Sequence, residues 1–273
     1  MYIFLFKSKY NFIKKIIEMF YNLDKIFILG LIKNKEQIEK KFSSMFPYHT
    51  KKLEYFLVPG IGSNQNDGCY DSSLLSILKH NTVDNISRDI FKNHVAIYKK
   101  AKTENLNRIM ILEDDAVFSD NIPYNQKNTI NRWIKENTKY DILYLGYCNW
   151  PWMMSTFQNL FIVKPYSPLT LHAYIMNKKG IDKVLSIIEN NSSLNKLHID
   201  KLFQQEKTIN KYAVYPMIAF QEKDPSLYTK ACDKIGIYLN FKSFCRFNEI
   251  ISLLLPIFMT IFICIFFYFF LYK

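Results

Sequence analysis

Glu113, Asp114 and Asp115 stand in a row at the end of the apolar run Ile109-Met110-Ile111-Leu112. Three adjacent carboxylates repel one another at neutral pH unless a cation or hydrogen-bond donors compensate them. A divalent metal is the simplest compensation, and oxygen-only ligands favour Mg2+ or Mn2+ over zinc. Four apolar residues bounded by charge read as a buried strand. In open α/β sheets ligands bind just outside the carboxyl ends of strands, so the cluster stands where a site belongs. On spacing alone a blander reading has equal claim, in which the acidic residues cap the next helix or sit in water. If the chain stays extended, alternation sends Glu113 and Asp115 to one side and Asp114 to the other.

Other residues able to do chemistry are scattered. Asp200, in His198-Ile199-Asp200-Lys201, is a potential general base or, more simply, a solvated helix start. His94 reads as a residue at a helix start that satisfies backbone groups, or as a ligand contact. His172 lies in a strand-like run, where core packing competes with a binding role. Trp150-Pro151-Trp152-Met153-Met154 offers aromatics for a sugar ring or an acceptor, for loop anchoring or for a membrane. Pro59 to Asp71 is a loop by every local signal, yet it carries neither Walker spacing nor G-x-G-x-x-G.

The elements that must position these groups alternate. Strand-like segments recur at Lys25 to Leu31, Glu54 to Val58, Ile109 to Leu112, Asp141 to Leu145, His172 to Met176 and Tyr212 to Ile218. Between them, helical stripes run through Ile38, Phe42, Met45 and Phe46, through Phe91, Val95, Tyr98 and Ala101, and through Ile181, Val184, Leu185 and Ile188. This alternation predicts an α/β fold with helices on the faces of a sheet.

At 273 residues the chain has ample material for a core, and the net charge of +12 suits a phosphorylated ligand or an anionic membrane surface. The lysines are spread along the chain with no block resembling a nucleic-acid arm, so no nucleic-acid partner is expected. Five cysteines without a C-x-x-C pair form neither a disulfide framework nor a zinc site, and mildly favour a reducing compartment. Three glycosylation sequons begin at Asn85, Asn190 and Asn191, and mean little in so Asn-rich a chain.

Residues 250–272 carry no charge. At about 1.5 Å per residue they suffice to cross a hydrocarbon core of about 30 Å. A single-pass, C-terminally anchored protein is expected, and Lys242 and Arg246 against Glu249 place the globular part on the cytoplasmic side. Phe12, Ile13, Ile16, Ile17 and Phe20 make an amphipathic N-terminal helix within residues 1–23, packed on the domain or lying on a membrane.

Several motifs in one order resemble glycosyltransferase family 25, which contains lipopolysaccharide and collagen galactosyltransferases. They are Asn93-His94-Val95-Ala96-Ile97-Tyr98, Ile111-Leu112-Glu113-Asp114-Asp115, Asp141-Ile142-Leu143-Tyr144-Leu145-Gly146, and His172-Ala173-Tyr174-Ile175-Met176 with Lys179-Gly180. Ile199-Asp200 and Tyr215-Pro216 with Gln221 and Ser226 continue the series. The resemblance spans roughly residues 24–228 and implies a GT-A fold over 24–246, a nucleotide-sugar donor such as a UDP-sugar, and inversion at the anomeric carbon. It implies Asp115 as metal ligand with Glu113, Glu113 and Asp114 toward the nucleotide and sugar, and Asp200 as the base. His94 and His172 become donor or diphosphate contacts. Two positions depart from the family. Gly30-Leu31-Ile32-Lys33-Asn34-Lys35 follows the first strand where the family has Asn-Leu and a pair of arginines, and Asn93 replaces a serine as a helix cap.

The expectation is therefore a membrane-anchored, metal-dependent transferase moving galactose or glucose to a glycan or protein acceptor. Two rivals stay open at this stage: a catalytically dead, membrane-tethered relative that binds glycan or partner proteins, and a metal-dependent phosphohydrolase or nuclease using the same carboxylates.

Overall fold

The structure, a computed structural model, describes residues 20–31, 34–58, 85–149, 155–190, 199–222 and 241–271. The expected N-terminal helix up to residue 19, the Pro59 to Asp71 loop, Trp150 to Met154 and Ser226 lie outside the described residues.

Period-two alternation builds the first strand, β1 (Lys25–Leu31). Phe27 and Leu29 enter one core, while Ile26 and Ile28 enter another on the opposite face. Helix α1 (Lys35–Met45) buries Ile38 and Phe42, one turn apart, and leads to β2 (Leu53–Val58), which runs parallel to β1. Helix α2 (Asn85–Thr103) buries Phe91, Ile97, Tyr98 and Ala101. It is closed by Asn105 in the left-handed region (φ 54), a conformation Asn tolerates beyond a helix end. Because α2 already begins at Asn85, Asn93 and His94 fall in mid-helix, and Asn93 is not the cap that the sequence suggested.

Strand β3 (Arg108–Glu113) lies parallel to β1, and its residues alternate as well: Ile109 and Ile111 share the core with α2, Met110 and Leu112 the other. After the short β4 (Ala116–Phe118) come α3 (Tyr124–Glu136), β5 (Ile142–Asn149), β6 (Ser155–Asn159), β7 (Ile162–Pro165) and β8 (Pro168–Asn177). Helix α4 (Lys178–Glu189) is capped by Asn177, whose side chain accepts from the Gly180 amide at 2.8 Å. Helix α5 (Ile199–Gln205), β9 (Lys211–Val214), β10 (Ala219–Gln221) and the long α6 (Phe241–Leu271) complete the described chain.

The main sheet has eight strands in the order β2-β1-β3-β8-β5-β9-β7-β6, with β8 antiparallel to both neighbours. It is thus a mixed sheet between two helical layers. A separate two-stranded sheet pairs β4 with β10 antiparallel. The expected strand over Tyr212 to Ile218 is split, because Pro216 has no amide to give to a ladder, and the chain leaves β9 for β10 there. Strands β5 and β8 slip in register near Gly146, and Thr170 in β8 adopts φ 69, a strained conformation for a β-branched residue.

In α6, Ser243–Ile263 is long and apolar enough, by length and composition, to cross a membrane. Its first turns nevertheless pack on the domain: Cys245, Asn248, Glu249 and Leu253 are buried, while Ile257, Phe258 and Phe262 farther along are exposed. The expected division between a domain ending at 246 and a helix starting at 250 falls inside this packed stretch.

Candidate active site

The alternation of β3 carries its last residue, Glu113, to the face shared by α2 and α5. There the chain stops being extended. Asp114 and Asp115 form a turn into β4, so strand alternation no longer governs where their side chains go. This corrects the simple two-sided arrangement expected from an extended chain. The physical reason is β4, which must turn back to pair with β10.

Asp115 is held mainly by β10. Its Oδ2 accepts from Gln221 Nε2 at 3.3 Å, and its carbonyl accepts from the Glu222 amide at 2.7 Å. Asp115 Oδ1 is buried without a hydrogen-bond partner. Burial, with the charge of Asp114 beside it, pushes this carboxyl up to about 6, against the opposing charge of Lys41 and the Gln221 bond. Glu113 is pushed up further, to about 8, by burial and then by Asp115, Asp200 and Asp114. Asp200, in the first turn of α5, is thereby brought into electrostatic reach of the cluster, because Ile199, Leu202 and Phe203 bury the rest of the helix.

Lys41 of α1 is the positive member that sequence reading missed. Its Nζ donates to the Asp114 carbonyl at 2.8 Å and to Glu222 Oε2 at 3.0 Å. It comes from the helix that follows the first strand in the chain. Nothing in the local spacing of Lys41 distinguishes it from its neighbour Lys40. Gly30 sits against this corner: a Cβ there would lie 2.6 Å from Ile38 Cδ1 and 3.0 Å from Asp114 Cβ.

Beneath the carboxylates lies a buried polar chain. Tyr98 and Tyr174 share a 2.6 Å hydrogen bond between hydroxyls, and Tyr174 shares another of 2.6 Å with His94 Nδ1. Burial lowers His94 to about 3, so it is neutral. Burial also raises the Tyr174 hydroxyl well above its ordinary value, with Glu113 among the charges adding to the shift, and Asp200 does the same for Tyr144. The tyrosines are therefore neutral hydroxyls under an acidic rim. His94 belongs to this chain, and its Nε2 has no partner.

His172 is 3 % exposed and stands against Gly146 and β10. The Ala219 carbonyl can only accept, so His172 Nε2 donates to it, at 3.4 Å. Burial lowers the ring to about 4, leaving it neutral with an unpartnered Nδ1. Its contacts are those of a packed core residue next to the site. A cavity of about 460 Å3 lined by Arg132, Trp133, Glu136, Lys139 and Tyr212 is bordered by none of the carboxylates discussed.

Among the described residues no group of three His, Cys, Asp or Glu side chains is arranged to hold a metal. Of the three carboxylates, Asp115 carries a buried oxygen without a hydrogen-bond partner. No curated protein matches the chain. The family model described as glycosyltransferase family 25 (LPS biosynthesis protein) matches residues 23–203, a stretch that includes Lys41, His94, the three carboxylates, Tyr174 and Asp200. The chain therefore belongs to glycosyltransferase family 25, whose glycosyltransferase activity implies a nucleotide-sugar donor and a separate acceptor.

Proposed function

We propose that this chain transfers a hexose, galactose or glucose, from a UDP-sugar to a glycan or protein acceptor with inversion, on a GT-A-type domain anchored to a membrane by α6. The observation that carries this reading is the electrostatic reach of Asp200, in the first turn of α5, to Glu113 at the carboxyl end of β3, within the stretch matched to the family. Inversion in a single displacement requires a base on the acceptor side, and Asp200 takes the acceptor hydroxyl proton as the oxygen attacks. Separate elements carry the base and the acidic turn, as expected if donor and acceptor approach from different sides.

Asp115 and Glu113 would hold Mg2+ or Mn2+, and two carboxylates fit such an ion when diphosphate and water complete its shell. When bound, the ion supplies Lewis-acid stabilisation of the diphosphate leaving group. Asp114 would contact the sugar or the nucleotide, and Lys41 would supply a cation on the same corner. The neutral Tyr174 and Tyr144 hydroxyls lie within electrostatic reach of Glu113 and Asp200 respectively. Anchoring by α6, with the domain on the cytoplasmic side, is supported by its exposed apolar turns and by Lys242 and Arg246 at its start.

One observation favours a non-catalytic relative: no arginine follows β1. Lys41 weighs against it, because a cation from the next helix bonds the Asp114 carbonyl and Glu222 beside the acidic turn. Asp200→Asn separates the two readings. The variant should bind donor as the parent does and lose transfer by about 100-fold or more. Equal transfer in the variant would remove Asp200 from the role of base.

A further inference from the structure

The segment Tyr215 to Glu222 touches the site along one side and α6 along the other. Toward the site, Gln221 and the Glu222 amide bind Asp115, and the Ala219 carbonyl receives His172. Toward α6, the Met217 amide donates to Glu249 Oε1 at 3.1 Å, and the Tyr147 hydroxyl donates to the same oxygen at 3.4 Å. Arg246 lies 5.0 Å over the ring of Phe220. Glu249 is 2 % exposed.

A carboxyl group is an expensive way to dock a helix, since an apolar side chain of similar size would do so without desolvating polar atoms. What a carboxyl group adds is direction. It fixes one backbone amide, that of Met217, at a set place relative to α6. From Met217 the chain has little freedom: the Ile218 amide donates to the Leu145 carbonyl at 2.9 Å, and the Ser119 amide to the Ile218 carbonyl at 2.8 Å. Phe220 is then clamped by Arg246, and the next two residues are those that hold Asp115.

We infer that Glu249, assisted by Arg246, is a positioning residue: through Met217 and β10 it sets where Asp115 stands, so the foot of the apolar helix is part of the catalytic unit. Both residues lie beyond the stretch matched to the family. The consequence for catalysis rests on the role proposed above for Asp115, while the mechanical linkage does not.

The test uses the full chain in detergent micelles, with amide exchange and sugar transfer measured on the same preparations. In Glu249→Ala, exchange should rise by about tenfold in peptides covering 113–119 and 216–222, with the β1–α1 peptides unchanged, and transfer should fall by a similar factor. Glu249→Gln, which keeps an acceptor oxygen, should restore both. Parental exchange in those two segments, or a loss of protection throughout that Glu249→Gln does not repair, overturns the inference. If Glu249→Ala does not fold, the exposed Arg246→Gln is read instead; faster exchange in the same two segments supports the linkage and parental exchange overturns it. A parent chain that transfers no sugar would sink the functional reading alone, leaving the exchange result to decide the linkage.

Discussion

Glu113 and Asp115 keep their protons to higher pH in the fold than in an unfolded chain, where carboxyls titrate near 4. Their folded values are about 8 and about 6. Because both are raised, the stability they contribute is fully present below the ordinary carboxylate range and is lost as pH rises through about 6 and then about 8. The melting temperature of the metal-free chain should therefore fall from about pH 4 to about pH 8, and Glu113→Gln should flatten the upper part of that fall. A divalent ion at the pair would reverse the sign of the local problem, so added Mn2+ should raise the melting temperature more at pH 8 than at pH 6. A flat profile, unmoved by Mn2+, would contradict the electrostatic account of this corner.

At the scale of elements, the approach of β5 to β10 is the tightest constraint beside the site. A Cβ on Gly146 would lie 2.2 Å from the Ala219 carbonyl oxygen and 2.3 Å from His172 Nε2. Gly146→Ala should cost about 1–3 kcal/mol in chemical denaturation, because backbone and a buried ring must shift; a neutral substitution would mean that β10 is not packed as described. The same corner marks what the sequence could and could not disclose. Strands with unbroken apolar runs, such as β1 and β3, were legible because both their faces are buried. Asp115 was legible as chemistry, and Gln221 as a motif, but the hydrogen bond between them depends on the β4–β10 pairing, and β4 is too short to carry a pattern. Helix α3 was missed because its buried positions include Gln126 and Lys127 beside Ile130 and Ile134, which leaves no clean apolar stripe. The mid-helix position of His94 was hidden because the helix starts nine residues earlier, at Asn85.

For the whole molecule, α6 joins two environments. Cys245, Asn248, Glu249 and Leu253 are buried against the domain, and farther along Phe258 and Phe262 are 59 % and 66 % exposed. The charge and apolar pattern disclosed the second part but not the first, since residues 241–249 read as an ordinary polar flank. A chain ending after Arg246 should accordingly be less stable by at least about 2 kcal/mol, the scale of deleting one buried leucine, and denaturation of the truncated and full chains checks this. Equal stability would show that the packed turns contribute nothing to the domain.

The most direct test of the central claim is sugar transfer by the full chain across a panel of nucleotide sugars, with Mn2+ or with chelator, and with Asp115→Ala alongside. The account predicts transfer from one donor, suppressed by chelator, and about 100-fold lower in Asp115→Ala although that variant stays folded. Folded protein that transfers from no donor, or transfer at the parental rate in Asp115→Ala, would contradict it.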